Sequence, residues 1–121
     1  MQDLLVDQII ASHAMIIAQD GGDSRLLSEG NLHQLVFRVN LINETLPRAA
    51  FAFYSLVAYP AFREGNKKTA QELAVRILAE GGYEIDATDD NQIDHLAEGI
   101  ISFSTELEDI EAWLAAHSHK Q

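Results

Sequence analysis

The sequence predicts an all-α fold of six helices that form a single domain over residues 1–121. Three observations support this prediction. Apolar residues recur with a helical period along nearly the whole chain, helix start and stop signals separate six segments, and no convincing strand pattern is present. A length of 121 residues suffices for one hydrophobic core, so we expect the six helices to share it.

The first two helices are defined by apolar stripes and by polar or glycine residues at their ends. The first segment stops at Gly21-Gly22. The second opens at Asn31, with Gln34 three residues later as in a capping box. The predicted inward-facing residues are Leu5, Ile9, Ile10, His13, Ile16 and Ile17 in the first helix, and Leu32, Leu35, Val36 and Val39 in the second.

The third segment, about residues 47–59, is predicted to be the central buried helix. It starts near Pro47, a residue type favoured in the first turn of a helix, and its stretch AAFAFYSLVA carries no charge. A helix that is apolar on every face has to be surrounded by other helices. Tyr59-Pro60 ends it, because proline lacks an N–H donor and disfavours helical geometry in the residue before it.

The fourth and fifth helices follow with a short connection between them. The fourth runs from about Asn66 to Glu80 and is terminated by Gly81-Gly82. Tyr83-Glu84-Ile85 is compatible with a short extended stretch. Asp89 and Gln92 provide the start signal of the fifth helix, whose apolar face consists of Ile93, Leu96, Ala97, Ile100 and Ile101.

The sixth helix is expected to begin at the capping box Thr105-x-x-Glu108. The residues after it are interpreted as a frayed tail. His117 and His119 lie in this tail, and two ligands on a flexible end make a poor metal site. The predicted buried residues of the sixth helix are Leu107, Ile110, Trp113 and Leu114.

Composition excludes several classes of function. A net charge of −11 argues against a nucleic-acid-binding face, which requires an extended basic surface. The longest charge-free run, between Arg48 and Arg63, has fourteen residues, too few to span a bilayer as a helix. The absence of cysteine excludes a disulfide framework and fits a cytoplasmic location. Because the acidic chain lacks an extended basic surface, any anion must be bound by a small local group of residues.

One stretch, YPAFREGNKKTA at residues 59–70, concentrates basic residues in this acidic chain. Three of its eight basic residues, Arg63, Lys67 and Lys68, lie within six positions. The stretch precedes the fourth helix, whose first free N–H groups and positive dipole end favour phosphate. Gly65 allows close backbone approach, Asn66 is suited to capping the helix or contacting a ligand, and Glu64 provides an oxygen of the kind that Mg²⁺ binds beside phosphate. The alternative is a solvated loop with ordinary helix-start chemistry.

The order Phe62-x-Glu64-Gly65-Asn66-Lys67-Lys68-Thr69-Ala70 resembles the core motif of the Fic/Doc family, H-x-F-x-[DE]-[GA]-N-[KG]-[RK]. The Lys-Lys-Thr-Ala ending is most similar to the death-on-curing (Doc) branch. Similarity extends beyond the motif, to the first helix with its Gly21-Gly22 end, to the segment of residues 27–32, and to Leu78-x-x-x-Gly81-Gly82-Tyr83.

The resemblance implies a six-helix Fic/Doc-like domain that binds ATP with Mg²⁺ and acts on a hydroxyl of a target protein. Family members transfer AMP, and Doc itself is a toxin that phosphorylates a translation factor and is neutralised by an antitoxin. By position, Glu64 would bind Mg²⁺. Gly65 and Asn66 would form the anion hole, Lys67 and Lys68 would contact phosphates, and Phe62 would anchor the loop in the core.

The sequence departs from the family at the general base. The motif histidine, two positions before Phe62, is replaced by Pro60, which has no ionisable group. If Ala61 is treated as an insertion, Tyr59 takes that position, although a phenol is a poor base at neutral pH. His13 is a second candidate, and proton transfer to the substrate phosphate is a third. Lys68, where many relatives have arginine, replaces a bidentate fork with a point charge.

Three functions are therefore compatible with the sequence. The first is a degenerate Fic/Doc domain that binds nucleotide phosphates without efficient transfer, either as a nucleotide-responsive binding or regulatory module or as a disabled toxin that still meets an antitoxin. The second is an active protein-modifying kinase or adenylyltransferase with an unusual base. The third is a helical interaction protein unrelated to the family. The sequence leaves the nucleotide, the target protein, the antitoxin and the oligomeric state open.

Overall fold

Six α-helices and one two-stranded antiparallel sheet make up the computed structural model, which describes residues 2–86 and 90–121. Their bounds are α1 Val6–Asp20, α2 Glu29–Leu41, α3 Thr45–Ala58, α4 Asn66–Glu80, β1 Tyr83–Ile85, α5 Asp90–Ile101, α6 Leu107–Ala116 and β2 Ser118–Lys120. The mostly helical architecture confirms the predicted all-α character. Within these ranges no helix is long and apolar enough to cross a membrane.

Helix α3 is the central element, as predicted from its uncharged sequence. It packs against α2, α4, α5 and α6, and its closest partner is α4. Small side chains on both helices permit this approach, since Ala49, Ala50 and Ala52 of α3 and Ala70 of α4 are fully buried. The helix begins at Thr45, slightly before the predicted start near Pro47, and it ends at Ala58, just before Tyr59-Pro60.

Arg48 is the exception in the apolar surface of α3, because its side chain is charged and buried. Its guanidinium donates hydrogen bonds to the carbonyls of Val39 (3.1 Å) and Ile42 (3.3 Å) at the end of α2, and to the carbonyl of Gln2 (2.7 Å). The C-terminal carbonyls of a helix carry partial negative charge and lack intrahelical partners. Arg48 therefore provides hydrogen-bond donors to the carbonyl groups at the end of α2 and links the N-terminal segment to this helix end.

Two predicted helix starts are wrong, while others agree closely. Helix α2 begins at Glu29 instead of Asn31, because Ser28 Oγ accepts the N–H of Asn31 and so caps the helix three residues earlier. Helix α6 begins at Leu107 after Glu106, whose N–H donates to Asp109, and the Thr105-x-x-Glu108 box does not form. Helix α4 has the predicted bounds. The proposed start signal at Asp89 lies outside the described residues.

The prediction of a frayed C-terminal tail is wrong. Residues 118–120 form β2, which pairs antiparallel with β1 in the register Tyr83 to Lys120, so the extended stretch at Tyr83–Ile85 does form. His119 Nδ1 lies 2.7 Å from Asp86 Oδ1, and the ring of His117 stacks on Trp113. No group of three or more metal-ligating side chains occurs in the described ranges, so neither histidine belongs to such a group.

Candidate phosphate-binding site

The segment between α3 and α4, residues 59–65 and here called the motif loop, is held by a second loop that precedes α2. The N–H groups of Leu27 and Ser28 donate to the carbonyl of Ala61 at 2.7 and 3.0 Å, and the N–H of Arg63 donates to the carbonyl of Arg25 at 3.0 Å. A Leu26–Phe62 bridge lies within this pairing. The two regions that resemble the family are therefore adjacent in space.

Asn66 braces the motif loop from the first position of α4. Its Oδ1 accepts the N–H groups of Ala61 (3.1 Å) and Phe62 (3.0 Å), and its Nδ2 donates to the carbonyl of Phe62 (2.7 Å). These three bonds engage the side-chain oxygen and nitrogen. The side chain of Asn66 thus shapes the loop, which leaves its backbone N–H as the group available to an anion.

Phe62 of the motif loop is buried, and His13 of α1 packs on it. The two rings stack with centroids 3.6 Å apart and planes 6° apart, and both residues are buried. His13 Nε2 lies 2.7 Å from the carbonyl oxygen of Glu64. Because a carbonyl oxygen only accepts, Nε2 carries the hydrogen in this contact. His13 therefore supports the loop and offers no proton acceptor at Nε2.

Gly65 makes the turn from the motif loop into α4. Its φ of +82° and ψ of 9° are left-handed, a conformation that glycine adopts without a steric penalty. The N–H of Thr69 and its hydroxyl both donate to the carbonyl of Gly65, at 3.1 and 2.7 Å. The amides of residues 66–68 precede this first intrahelical bond. They belong to the end of the helix where N–H groups lack intrahelical acceptors.

Two surface depressions flank the first turn of α4. The α1-side depression, about 250 Å³, is lined by Ile16, Ile17, Asp20, Gly21, Gly65, Lys67 and Lys68. The α5-side depression, about 390 Å³, is lined by Val57, Pro60, Asn66, Lys67, Asp94, Ala97, Glu98 and Ile101. Lys67 borders both. We call this first turn, residues 65–68, the phosphate seat, since its backbone and two lysines lie between two openings.

The basic residues in and beside the seat are matched by carboxylates from other segments. Lys68 pairs with Asp20 at the end of α1, and Lys67 pairs with Asp94 of α5 at 2.5 Å. Arg63 lies 3.4 Å from Asp23. The seat is therefore close to electrically neutral in the absence of a ligand. Sequence reasoning missed Asp20 and Asp94, because nothing local marks a carboxylate that approaches from another helix.

Asp23 belongs to the same network. The pKa of Asp23 lies below its ordinary value, mainly because the side chain of Arg25 donates hydrogen bonds to this carboxylate and the backbone N–H of Arg25 adds another. Asp23 therefore remains ionised beside Arg63, and it keeps that arginine engaged at the edge of the seat.

Glu64, the residue that would bind Mg²⁺ by resemblance, lies on the side of the loop that faces Gly22. Its Oε2 accepts the N–H of Asp23. A Cβ at Gly22 would lie 2.8 Å from this oxygen, so a glycine at this position makes room for the carboxylate. One carboxylate matches Mg²⁺ that arrives with a nucleotide, since the ion then takes most of its ligands from phosphate and water. No cluster of three potential ligands in the described residues supports a protein-bound ion without nucleotide.

The two adjacent positions considered for the missing base line different depressions. Pro60 lines the α5-side depression and has no titratable group. Tyr59 is 60% exposed and lines a separate groove of about 560 Å³ between α2 and α6, together with Arg38, Tyr54 and Glu106. The Tyr59 phenol thus opens toward a different surface from the one that Pro60 borders.

No protein-family model and no curated protein matches the chain. The function of the chain is therefore inferred from the motif and from the geometry around the phosphate seat.

Proposed function

We propose that the chain is a Fic/Doc-like domain that binds the phosphates of a magnesium nucleotide at the first turn of α4. One observation carries the proposal: Gly65, in a left-handed conformation, brings the amides of this turn and two lysines between two surface depressions. Backbone amides at a helix N-terminus, the helix dipole and ammonium groups all favour the same ligand, a phosphate.

Apart from the vacant histidine position, the arrangement of the loop supports the proposal. Phe62 is buried against His13, Glu64 is exposed beside the seat, Gly65 turns the chain, and Asn66 fixes the loop through three hydrogen bonds. These are the relations that a phosphate-binding loop needs, because its amides act only if the backbone is held in advance. ATP with Mg²⁺ is the ligand that the family resemblance suggests.

The vacant histidine position favours a binding or regulatory role over efficient catalysis. Loss of a general base costs about 10²–10⁴-fold in rate. As a degenerate Doc-like protein in the cytoplasm, the chain would meet an antitoxin and would keep its nucleotide site. An active transferase that modifies a translation factor or another protein is the second candidate. The observation that favours it is a carboxylate, Glu98, in the same depression as Pro60.

Titration of the domain with Mg-ATP tests the proposal. We expect saturable binding, weaker than that of a site with unpaired lysines, and amide NMR shifts centred on residues 65–68. Lys67→Ala combined with Lys68→Ala should weaken binding about tenfold, because a charged hydrogen bond contributes about 1.5–3 kcal/mol and part of that gain is offset by releasing Asp20 and Asp94.

Lys120→Ala is the matched control, since Lys120 lies on β2 near the ring of Tyr83, outside the seat. It should bind Mg-ATP as the wild type does. Absence of saturable binding, or an equal loss of Mg-ATP affinity in the control and the double variant, would favour the third hypothesis, a helical interaction protein without a nucleotide site.

A further inference from the structure

Glu98 is the carboxylate in the α5-side depression that has no assigned task. It lies on α5, one helical turn after Asp94, and lines the same 390 Å³ space as Pro60, Asn66 and Lys67. Asp94 is engaged by Lys67. The Glu98 side chain is exposed and has no hydrogen-bond or ion-pair partner within residues 2–86 and 90–121. It is therefore an available proton acceptor beside the position where the family has its histidine.

We propose that Glu98 is the general base of a phosphoryl transfer at the phosphate seat. This inference depends on the proposed nucleotide site and develops the second candidate function, the active transferase. The oxygen of an acceptor hydroxyl attacks the terminal phosphorus of ATP and forms a new oxygen–phosphorus bond. The bond from that phosphorus to the leaving ADP oxygen breaks, and the hydroxyl proton passes to the Glu98 carboxylate and then to water. A carboxylate is a competent base for this reaction class, in which positioning and charge stabilisation dominate.

The other side chains considered as the base are each occupied or misplaced. His13 Nε2 donates to the carbonyl of Glu64, and Tyr59 lines the groove between α2 and α6. Asp94 is held by an ammonium group. The charged groups that line the depression with Glu98 are Lys67 from α4 and Asp94 from its own helix, while α3 contributes an apolar wall. Lys67, a residue of the seat, thus borders the same depression as the candidate base.

The remaining walls indicate what the acceptor is. Val57, Pro60, Ala97 and Ile101 are the apolar residues that line the depression beside Lys67 and the two carboxylates, and Ile101 is 66% exposed. An opening of this size accommodates a single amino-acid side chain. The acceptor that fits is a serine, threonine or tyrosine of a partner protein, with its apolar atoms against Ile101 and its hydroxyl toward Glu98.

The test measures ADP release from Mg-ATP with water as the acceptor, and Mg-ATP binding in the same samples. We expect Glu98→Gln to lower ADP release by about 10²–10⁴-fold while binding stays at the wild-type level. Glu72→Gln, which removes an exposed carboxylate on α4, should change neither. Pro60→His in the Glu98→Gln background should restore ADP release, with a loss below about pH 6.5 as the imidazole is protonated.

The results separate this inference from the proposed function. If Mg-ATP does not bind, both are wrong. If it binds but the wild type releases no ADP, or Glu98→Gln releases ADP as fast as Glu72→Gln, only the assignment of Glu98 is wrong. Restored release in the histidine variant, with the new pH dependence, supports a base at this location and excludes a merely structural effect of the glutamine.

Discussion

Replacing Asn66 tests whether its side chain shapes the motif loop. Asn66→Ala removes three hydrogen bonds and leaves the N–H groups of Ala61 and Phe62, both buried residues, without their acceptor. At a net contribution of about 1 kcal/mol per bond, the free energy of unfolding should fall by about 3 kcal/mol. Asn66→Asp keeps an acceptor oxygen for the two amides but replaces the donor to Phe62 with a second oxygen that faces the Phe62 carbonyl oxygen. The lost donor bond should cost about 1 kcal/mol, and the repulsion between the two oxygens adds to that cost.

Urea unfolding measures both variants, with the expected change in the midpoint and an unchanged slope. Asn43→Ala is the control, because Asn43 is an exposed residue between α2 and α3. If Asn66→Ala were within about 0.5 kcal/mol of the wild type, as surface substitutions usually are, the bracing role would be refuted. Weaker Mg-ATP binding with unchanged stability would instead assign the Asn66 side chain to the ligand.

Two further predictions concern the seat and its turn. Asp20→Asn and Asp94→Asn should each tighten Mg-ATP binding about one-and-a-half- to fivefold at low salt, because exposed ion pairs contribute about 0.2–1 kcal/mol. Asp3→Asn is the control. Unchanged or weaker affinity in the first two variants would contradict a competition between the aspartates and the phosphate. Gly65→Ala should destabilise the fold more than Gly82→Ala. Both glycines have φ near +80°, which costs an alanine about 1–2 kcal/mol. Of the two, only Gly65 would place the new Cβ against other side chains, 3.3 Å from His13 Nε2 and 3.2 Å from Ile17 Cδ1. Equal losses in urea unfolding would show that the contact with α1 does not matter.

The parts of the fold that sequence could predict are those with a local cause. Helix α4 has its predicted bounds because a left-handed Gly65 precedes it and Gly81 follows it. Helix α3 is central because an uncharged helix can be stable only when other helices cover it. The predicted start of α2 was wrong for a local reason as well. Ser28 caps the helix by accepting the N–H of Asn31, while the side chain of Asn31 donates to the carbonyl of Pro60.

The parts that sequence could not predict depend on contacts between distant segments. The pairing of β1 with β2 joins residues more than thirty positions apart, and three-residue segments carry no periodic signal. The Lys68–Asp20 pair likewise could not be predicted from the sequence, because any of many carboxylates could pair with the same lysine. Glu98 is a further case, since it reads as an ordinary exposed helix residue until α5 is placed beside Pro60.

The cluster of basic residues in an acidic chain now has a physical explanation. Arg63, Lys67 and Lys68 are each near an aspartate from another part of the fold, so the seat is neutral when it is empty. A phosphate bound there would replace the aspartates as the partner of these basic side chains. Only the difference between the two sets of ion pairs would contribute to affinity. Under the proposed function, the backbone amides of the turn and the Mg²⁺ carried by a nucleotide would provide the part of the attraction that no aspartate side chain offers. An inorganic anion without Mg²⁺ would gain less from the exchange, so we predict that Mg-ATP binds this seat more tightly than free phosphate does.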